Sequence, residues 1–245
     1  ATNGEASMVD IDNVSVTYAA APERPVLENV NFAPQPGITL LCGASGSGKS
    51  SVLRLINGLI PHFHAVTQTG TVRLGSKSVA DMQLYEIGKS CATVFQNPHT
   101  QFFTTEVDSE LAFAGQNFQV PADELRRRSA AALRDVGITD LAGRSLRTLS
   151  GGQVQKVACA QAVAQTTPII LFDEPTSNLD PAAITEFAAL LGRLKAQGKT
   201  IIIAEHRLYF LRGLVDQVLL IAGGRVAHTY TGKEFFNLGT KAQEL

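Results

Sequence analysis

Apolar and polar positions alternate with a period of two near the start of the chain, which predicts short antiparallel strands. The apolar members of this pattern are Val9, Ile11, Val14, Val16 and Tyr18. A stretch rich in alanine and proline at 19–25 interrupts the pattern, and a further strand is expected at 26–32. A strand pair is also expected after Gly70.

Compact apolar runs farther along the chain predict buried strands with helices between them. The predicted strands cover 38–42, 91–95, 168–172, 200–204 and 218–221. The predicted helices cover 49–57 and 182–196. Strands that alternate with helices indicate βαβ units and a largely parallel sheet, so the predicted fold class is α/β.

The middle of the chain, from about 101 to 148, has a helical pattern instead. Its amphipathic stretches lie at 107–118 and 123–136. Pro121 precedes the second stretch as a helix start, and Gly137 follows it as a helix stop. We interpret this region as a helical insertion in one α/β domain.

Composition narrows the possible functions. The chain has 245 residues, 44% of them hydrophobic, and 21 basic residues against 22 acidic ones. This balance disfavours a dedicated nucleic-acid binder, and no nucleic-acid partner is expected. No apolar run approaches the roughly 18 residues that a membrane helix needs. The first residues lack the basic and apolar segments of a secretory signal. Cys42, Cys91 and Cys159 lack metal-ligand spacing, so we expect them to be buried, reduced thiols inside the cell.

A glycine-rich segment between the predicted strand at 38–42 and the following helix fits the pattern G-x-x-x-x-G-K-[ST] of a phosphate-binding P-loop. Glycines let backbone N–H groups approach a phosphate, and a helix N-terminus favours its negative charge. The lysine is expected to contact the β- and γ-phosphates and the serine after it to bind Mg²⁺. The alternative is a glycine-rich turn with a surface lysine. The segment consists of Gly43, Ala44, Ser45, Gly46, Ser47, Gly48, Lys49 and Ser50, followed by Ser51.

Two acids directly follow the apolar strand at 168–172. Ligands bind at such strand ends in open α/β sheets. Asp173 is predicted to hold Mg²⁺ through water, and Glu174 is predicted to act as the general base on the attacking water. Alone, these acids could equally be solvated loop residues; the P-loop favours the catalytic interpretation.

The segment Leu149-Ser150-Gly151-Gly152-Gln153 resembles the signature of ATP-binding-cassette (ABC) ATPases. The order of the other parts is also similar to that family: Tyr18, the P-loop, Gln96, the signature, Asp173, Glu174, Asp180 and His206. The resemblance implies a P-loop NTPase (RecA-like) core with an N-terminal antiparallel β subdomain and an inserted α-helical subdomain. It implies one ABC ATPase domain at 8–235, with the core at about 8–96 and 155–235, the helical subdomain at about 97–154, and a tail at 236–245.

The resemblance also implies roles for single residues. Tyr18 would stack on adenine, Gln96 would touch Mg²⁺ or the attacking water, and His206 would contact the γ-phosphate. The signature residues Ser150, Gly151, Gly152 and Gln153, with Asp180, would face a nucleotide bound by another cassette. Alternatives remain open for each: a surface tyrosine, a loop glutamine, a structural histidine, or plain helix caps, since Ser150 and Asp180 are both good N-caps.

The implied cofactors are ATP and Mg²⁺, with Ser50, Gln96 and Asp173 as metal residues. The implied partner is a second ABC ATPase subunit, identical or related. Segments at 57–62, 95–103, 110–113 and 204–208 look like the ATPases of energy-coupling-factor (ECF) importers, which pair with a membrane coupling subunit and a substrate-binding membrane subunit to import vitamins or nickel and cobalt ions. The expected location is therefore the cytoplasmic face of the cell membrane, as a peripheral protein.

Other interpretations remain at this stage. A soluble ABC ATPase of DNA repair or translation is disfavoured because the stretch between Lys49 and Ser150 has neither a long heptad region nor a CxxC motif. An ABC exporter, a conventional importer or a nucleotide kinase are further alternatives. Val154, Lys156 and Gln161 depart from the residues usual behind the signature, which leaves the pairing preference open. The aromatic residues Phe102, Phe103, Phe113 and Phe118 are either core or part of a groove for the membrane partner.

Overall fold

A computed structural model describes residues 8–238. The strands are β1 (Val9–Tyr18), β2 (Leu27–Phe32), β3 (Gly37–Cys42), β4 (Val66–Leu74), β5 (Lys77–Ser78), β6 (Cys91–Val94), β7 (Ile169–Asp173), β8 (Thr200–Ala204), β9 (Gln217–Ala222) and β10 (Arg225–Thr231). The helices are α1 (Lys49–Ile56), α2 (Leu59–His62), α3 (Leu84–Ser90), α4 (Val107–Asn117), α5 (Ala122–Val136), α6 (Gly151–Ala164), α7 (Pro181–Ala196) and α8 (Gly232–Asn237).

Two sheets organise the chain, and together they confirm the predicted fold class. The smaller, antiparallel sheet has the order β2-β1-β4-β5, and the larger has the order β10-β9-β3-β8-β7-β6. In the larger sheet β6, β7, β8, β3 and β9 run parallel, and β10 pairs antiparallel with β9. Every residue of β3 and β8 is buried, as expected for parallel strands covered on both faces. Such strands are continuous apolar runs, which is why their positions could be predicted.

Strand β4 differs from the prediction because it begins at Val66 and passes through Gly70. Gly70 has a φ of 76°, and a Cβ there would lie 2.3 Å from the Asn13 carbonyl oxygen. The pairing of β1 with β4 changes register between Asp12 and Ser15. Gly70 therefore lies at a bulge that lets the strand continue, and not at a turn before a new strand.

Strand β10 and helices α2, α3 and α8 were not predicted. β10 is an edge strand whose residues are mostly exposed, so its sequence carries no apolar run. The helices are short, with four residues in α2, seven in α3 and six in α8. Short amphipathic segments of this kind give a weak periodic signal.

The helical layer consists of α4, α5 and α6. Helix α5 ends as predicted at Gly137, which has a left-handed φ of 74°. Helix α6 packs against both α4 and α5, and its buried face joins the core on one side of the large sheet. The subdomain limit expected near 154 lies inside α6. Of the expected tail, residues 239–245 lie outside the described residues.

The three cysteines are buried and unpaired, as predicted. Burial raises the thiol pKa of Cys42 to about 11, and that of Cys91 and of Cys159 to about 12. These thiols therefore stay protonated near neutral pH. No helix within residues 8–238 combines the length and the apolar character needed to cross a membrane.

Candidate functional site

The turn between β3 and α1 depends on glycine. Gly43, Gly46 and Gly48 have φ values of 144°, 75° and 113°, which L side chains rarely adopt. A Cβ on Gly43 would lie 2.1 Å from the Ile221 carbonyl oxygen. The loop therefore wraps in front of the N-terminus of α1 only because its glycines allow this backbone path, and the helix dipole at that end favours an anion.

The side chains of this loop fit an anionic ligand. Lys49 is 5% exposed, and its Nζ donates to the carbonyl oxygens of Gly43 at 2.8 Å and Ala44 at 3.0 Å. Burial lowers the pKa of Lys49, and the nearby Glu174 charge partly offsets this shift. The Ser47 hydroxyl is buried and has no hydrogen-bond partner within the described chain. The ammonium of Lys49 is buried against carbonyl oxygens, and the hydroxyl of Ser47 is unused. Both groups would gain hydrogen bonds to phosphate oxygens.

A hydroxyl and a carboxylate meet beside the loop. The Ser50 hydroxyl donates to Asp173 Oδ1 at 3.0 Å. Burial raises the pKa of Asp173; the Ser50 hydrogen bond opposes this shift and the Glu174 charge adds to it. No group of three His, Cys, Asp or Glu residues in the described part of the chain could hold a metal. Mg²⁺ commonly needs only one or two carboxylates when it also binds substrate phosphates, so these oxygen donors fit Mg²⁺.

Glu174 is the centre of a second cluster. Gln96 Nε2 donates to Glu174 Oε2 at 2.8 Å, and His206 Nε2 lies 3.0 Å from Glu174 Oε1. With its hydrogen on Nε2, His206 donates to that oxygen, so both carboxylate oxygens are bound and oriented. Glu174 has a left-handed φ of 47°, held by a hydrogen bond of 2.8 Å from its N–H to the Ala204 carbonyl oxygen. Such strain in a non-glycine residue is typical of functional sites.

Tyr18 lies apart from the Glu174 cluster, at the end of β1. Its hydroxyl accepts a hydrogen bond from Arg54 of α1 at 3.3 Å. Its ring meets the His64 ring edge-on, with 5.8 Å between centroids. The ring is half-buried and stands beside the P-loop helix.

The signature residues and Asp180 form another group. Ser150 caps α6 in a capping box with Gln153, at 3.3 Å and 3.0 Å. Asp180 caps α7 and accepts the Ala183 N–H at 2.8 Å, with Pro181 in the first turn. Ser150, Gly152, Gln153 and Asp180 line one cleft of about 340 Å³, and no P-loop residue lines it. A Cβ on Gly151 would meet open space.

Apart from Tyr18, the predicted residues therefore fall into two places. Lys49, Ser50, Asp173, Glu174, Gln96 and His206 come together at the carboxyl ends of β3, β6, β7 and β8. The signature and Asp180 lie at the N-termini of α6 and α7.

Comparison with known proteins decides the family. The family model described as ABC transporter matches residues 27–177, more than half of the chain. This chain belongs to the ABC transporter family. An ABC transporter ATP-binding protein of Treponema denticola is 39% identical over 231 residues, which cover 94% of this chain and 47% of that protein. One of Streptomyces coelicolor is 40% identical over 216 residues, covering 87% and 38%. The chain thus spans less than half the length of these curated ABC relatives.

Two solved ABC structures resemble the chain over nearly their whole length. CbiO1 from Clostridium perfringens, part of the ABC transporter complex CbiONQ, matches with a TM-score of 0.83 and 28% identity, covering 98% of this chain and 93% of CbiO1. The ATP-binding cassette MJ0796, solved as a dimer in a post-hydrolysis state with ADP and Pi, matches with a TM-score of 0.80 and 28% identity, covering 91% and 98%. The fold of this chain is therefore that of solved ABC ATP-binding cassettes.

Sequence reasoning on this ABC chain assigned no role to two buried carboxylates. Glu205 is 3% exposed and directly follows β8, as Glu174 directly follows β7. Glu110 is fully buried and accepts hydrogen bonds from Gln161 at 2.7 Å and from the Thr104 N–H at 2.8 Å. An acid at the end of a buried strand was a usable signal for Glu205. Glu110 is buried because α4 packs against α6, and no pattern in the sequence indicates this burial.

Proposed function

We propose that this chain binds ATP with Mg²⁺, hydrolyses it, and thereby powers a membrane transporter, specifically an ECF-type importer of a vitamin or a transition-metal ion. The observation that carries the proposal is the Glu174 carboxylate, held between Gln96 and His206 and adjacent to Lys49. A carboxylate oriented on both oxygens beside a phosphate loop is equipped to activate water against a phosphoryl group.

Nucleotide binding rests on the loop at 43–51. Its backbone N–H groups and Lys49 hold the phosphates, and Ser47 supplies its unused hydroxyl. Ser50, Asp173 and Gln96 are the residues proposed to hold Mg²⁺, which when bound neutralises charge on the phosphates. Tyr18 is proposed to stack on adenine, and this requires its ring to exchange the edge contact with His64 for a base.

Hydrolysis rests on the Glu174 cluster. Glu174 accepts the proton of the attacking water while Gln96 and His206 keep its carboxylate in place. His206 is also proposed to contact the γ-phosphate of the bound nucleotide, since it lies next to Glu174. Lys49 stabilises the charge that develops on the transferred group.

The signature side is proposed to serve a second cassette, a copy of this chain or a related chain. Ser150 and the first turn of α6 offer a hydroxyl and backbone N–H groups at a helix N-terminus, where a γ-phosphate is favoured. Asp180 and Gln153 line the same cleft. The solved MJ0796 cassette, which this chain resembles, is a dimer with ADP and Pi.

The membrane partner is proposed to dock in a groove of about 290 Å³ between α3 and α4. Phe103 is 74% exposed there and stacks on Phe113 with 4.8 Å between ring centroids. An exposed aromatic ring stacked on a half-buried one beside a groove suits an amphipathic helix of a coupling subunit. The proposed location is therefore the cytoplasmic face of the membrane, and the likeness to CbiO1, part of CbiONQ, supports the ECF proposal.

Capture from native membranes tests the proposal. The tagged protein is recovered without crosslinker, and the bound proteins are identified by mass spectrometry. A multi-helix coupling protein together with a small membrane subunit is the expected result, and the small subunit identifies the cargo. The matched control is Phe103→Ser, which should lose these partners and keep ATP hydrolysis. Recovery of soluble partners alone contradicts the transporter assignment.

A further inference from the structure

The Glu205 carboxylate is buried and accepts four hydrogen bonds. Its Oε1 accepts the N–H of His206 at 2.8 Å and the N–H of Arg207 at 3.1 Å. Its Oε2 accepts the Thr176 hydroxyl at 2.6 Å and the Thr176 N–H at 3.3 Å. Each oxygen thus faces two donors, and the carboxylate connects two separate loops.

These two loops carry the proposed hydrolytic residues. The loop after β8 carries His206, and the loop after β7 runs from Glu174 through Thr176 to Asp180. Thr176 is fully buried, and Arg207 Nη1 donates to the carbonyl oxygens of Thr176 at 3.3 Å and Leu179 at 3.4 Å. The connection is therefore made from both directions, by the Glu205 acceptor and by the Arg207 donor.

We propose, on the basis of the function proposed above, that Glu205 is a positioning residue for hydrolysis. It fixes the backbone of His206 relative to the loop that begins at Glu174, and so maintains the contact of 3.0 Å between His206 and Glu174. The bonds of Glu205 to Thr176, together with the Arg207 bond to Leu179, also hold the segment that ends at Asp180 in the signature cleft. Glu205 acts through these loops and does not touch the nucleotide.

The arrangement requires a carboxylate, and this makes the proposal testable with substitutions of similar size. In Glu205→Gln the side-chain NH₂ would face two donors in either orientation, because both oxygen positions accept hydrogen bonds. Thr176→Val keeps the shape of the buried residue and removes the hydroxyl donor. Thr176→Ser keeps the hydroxyl and is the matched conservative control.

The experiment compares steady-state ATP hydrolysis of the purified variants, with kcat divided by the fraction of protein that binds ATP. If hydrolysis of the unchanged protein requires a partner cassette, that cassette is included in every assay. Glu205→Gln and Thr176→Val should lower kcat by about tenfold or more, because small displacements of catalytic groups are costly. Their KM for ATP should stay within about twofold, because the P-loop is unchanged. Thr176→Ser should retain the original kcat.

The outcomes separate this inference from the proposed function. If the unchanged protein does not hydrolyse ATP, both fail. If it does, and Glu205→Gln and Thr176→Val keep their kcat, only the role of Glu205 is overturned. A rise in KM together with loss of ATP-binding protein, or equal damage in Thr176→Ser and Thr176→Val, assigns these residues to packing alone and also overturns it. Should Glu205→Gln fail to fold, the two Thr176 variants decide.

Discussion

The Glu174 side and the signature side of this cassette differ in how their polar groups are used. On the Glu174 side, residues from four different elements already contact one another, as in the bonds of Gln96 and His206 to Glu174. On the signature side, Ser150 and Asp180 bond only to their own helices as caps, beside an open cleft. A helix N-terminus whose glycine N–H groups face an open cleft is suited to bind an anion such as a phosphate.

This difference indicates which side carries the reacting groups. The Glu174 side has the proposed base, its orienting groups and the phosphate loop in one chain, whereas the signature side has donors and no reacting group among the described residues. The two sides are therefore expected to respond differently to substitution. The first should fail in nucleotide binding or chemistry, and the second only in completing a site on another cassette.

The largest effect is expected for Lys49→Ala on the P-loop. Removing the buried ammonium should weaken ATP binding by about 100-fold or more, since losing one member of a buried charge contact commonly costs 2–5 kcal/mol. Titration of a fluorescent ATP analogue measures this. Lys77→Ala is the matched control, because Lys77 is exposed and pairs with Glu86. Unchanged ATP affinity in Lys49→Ala contradicts the P-loop assignment.

The signature side is tested by Gly151→Asp. A side chain there enters open space, and an acid in the first turn of a helix favours the helix, so folding and ATP binding should be retained. A carboxylate facing the γ-phosphate of a second cassette should nevertheless lower hydrolysis by about tenfold or more. Phosphate-release assays measure this, with Gly151→Ala as the milder control. If Gly151→Asp hydrolyses ATP normally, the signature does not complete a second site.

Gln96→Ala should have a smaller effect that is confined to chemistry. It removes one hydrogen bond to a charged group, and a loss of about 1.5 kcal/mol for such a bond corresponds to about tenfold in kcat. Binding of ATP measured without Mg²⁺ should remain unchanged, because Gln96 contacts Glu174 and not the P-loop. Equal loss of kcat and affinity would show that Gln96 is needed for the fold of the site instead.

The smallest effect separates capping from function. Ser150→Ala and Thr231→Ala each remove a capping box and should lower the free energy of unfolding by about 1 kcal/mol. Only Ser150→Ala should also reduce ATP hydrolysis, since Thr231 lies on β10 away from the cleft. Chemical denaturation and phosphate release measure the two quantities. If both variants hydrolyse ATP equally well, Ser150 is a cap and no more.

Sequence reasoning predicted the parts of the molecule that depend on local pattern. The buried strands are apolar runs, and the P-loop needs glycine at fixed positions, so both could be recognised. Strand β10 could not, because an exposed edge strand carries no apolar signal. The positions of Glu110 and Glu205 depend on which loops and helices meet in space, and single-sequence patterns contain no such information. The roles of the site residues stay predictions until they are measured.

The most direct test of the account is Glu174→Gln. This variant keeps the shape of the side chain and one oxygen that can accept the hydrogen bond of Gln96, but it removes the carboxylate that acts as the proposed base. We expect ATP to bind with unchanged affinity, hydrolysis to fall by at least about 100-fold, and ATP-bound protein to accumulate as a dimer in light scattering. Retained hydrolysis in Glu174→Gln would contradict the central claim that this carboxylate activates the water.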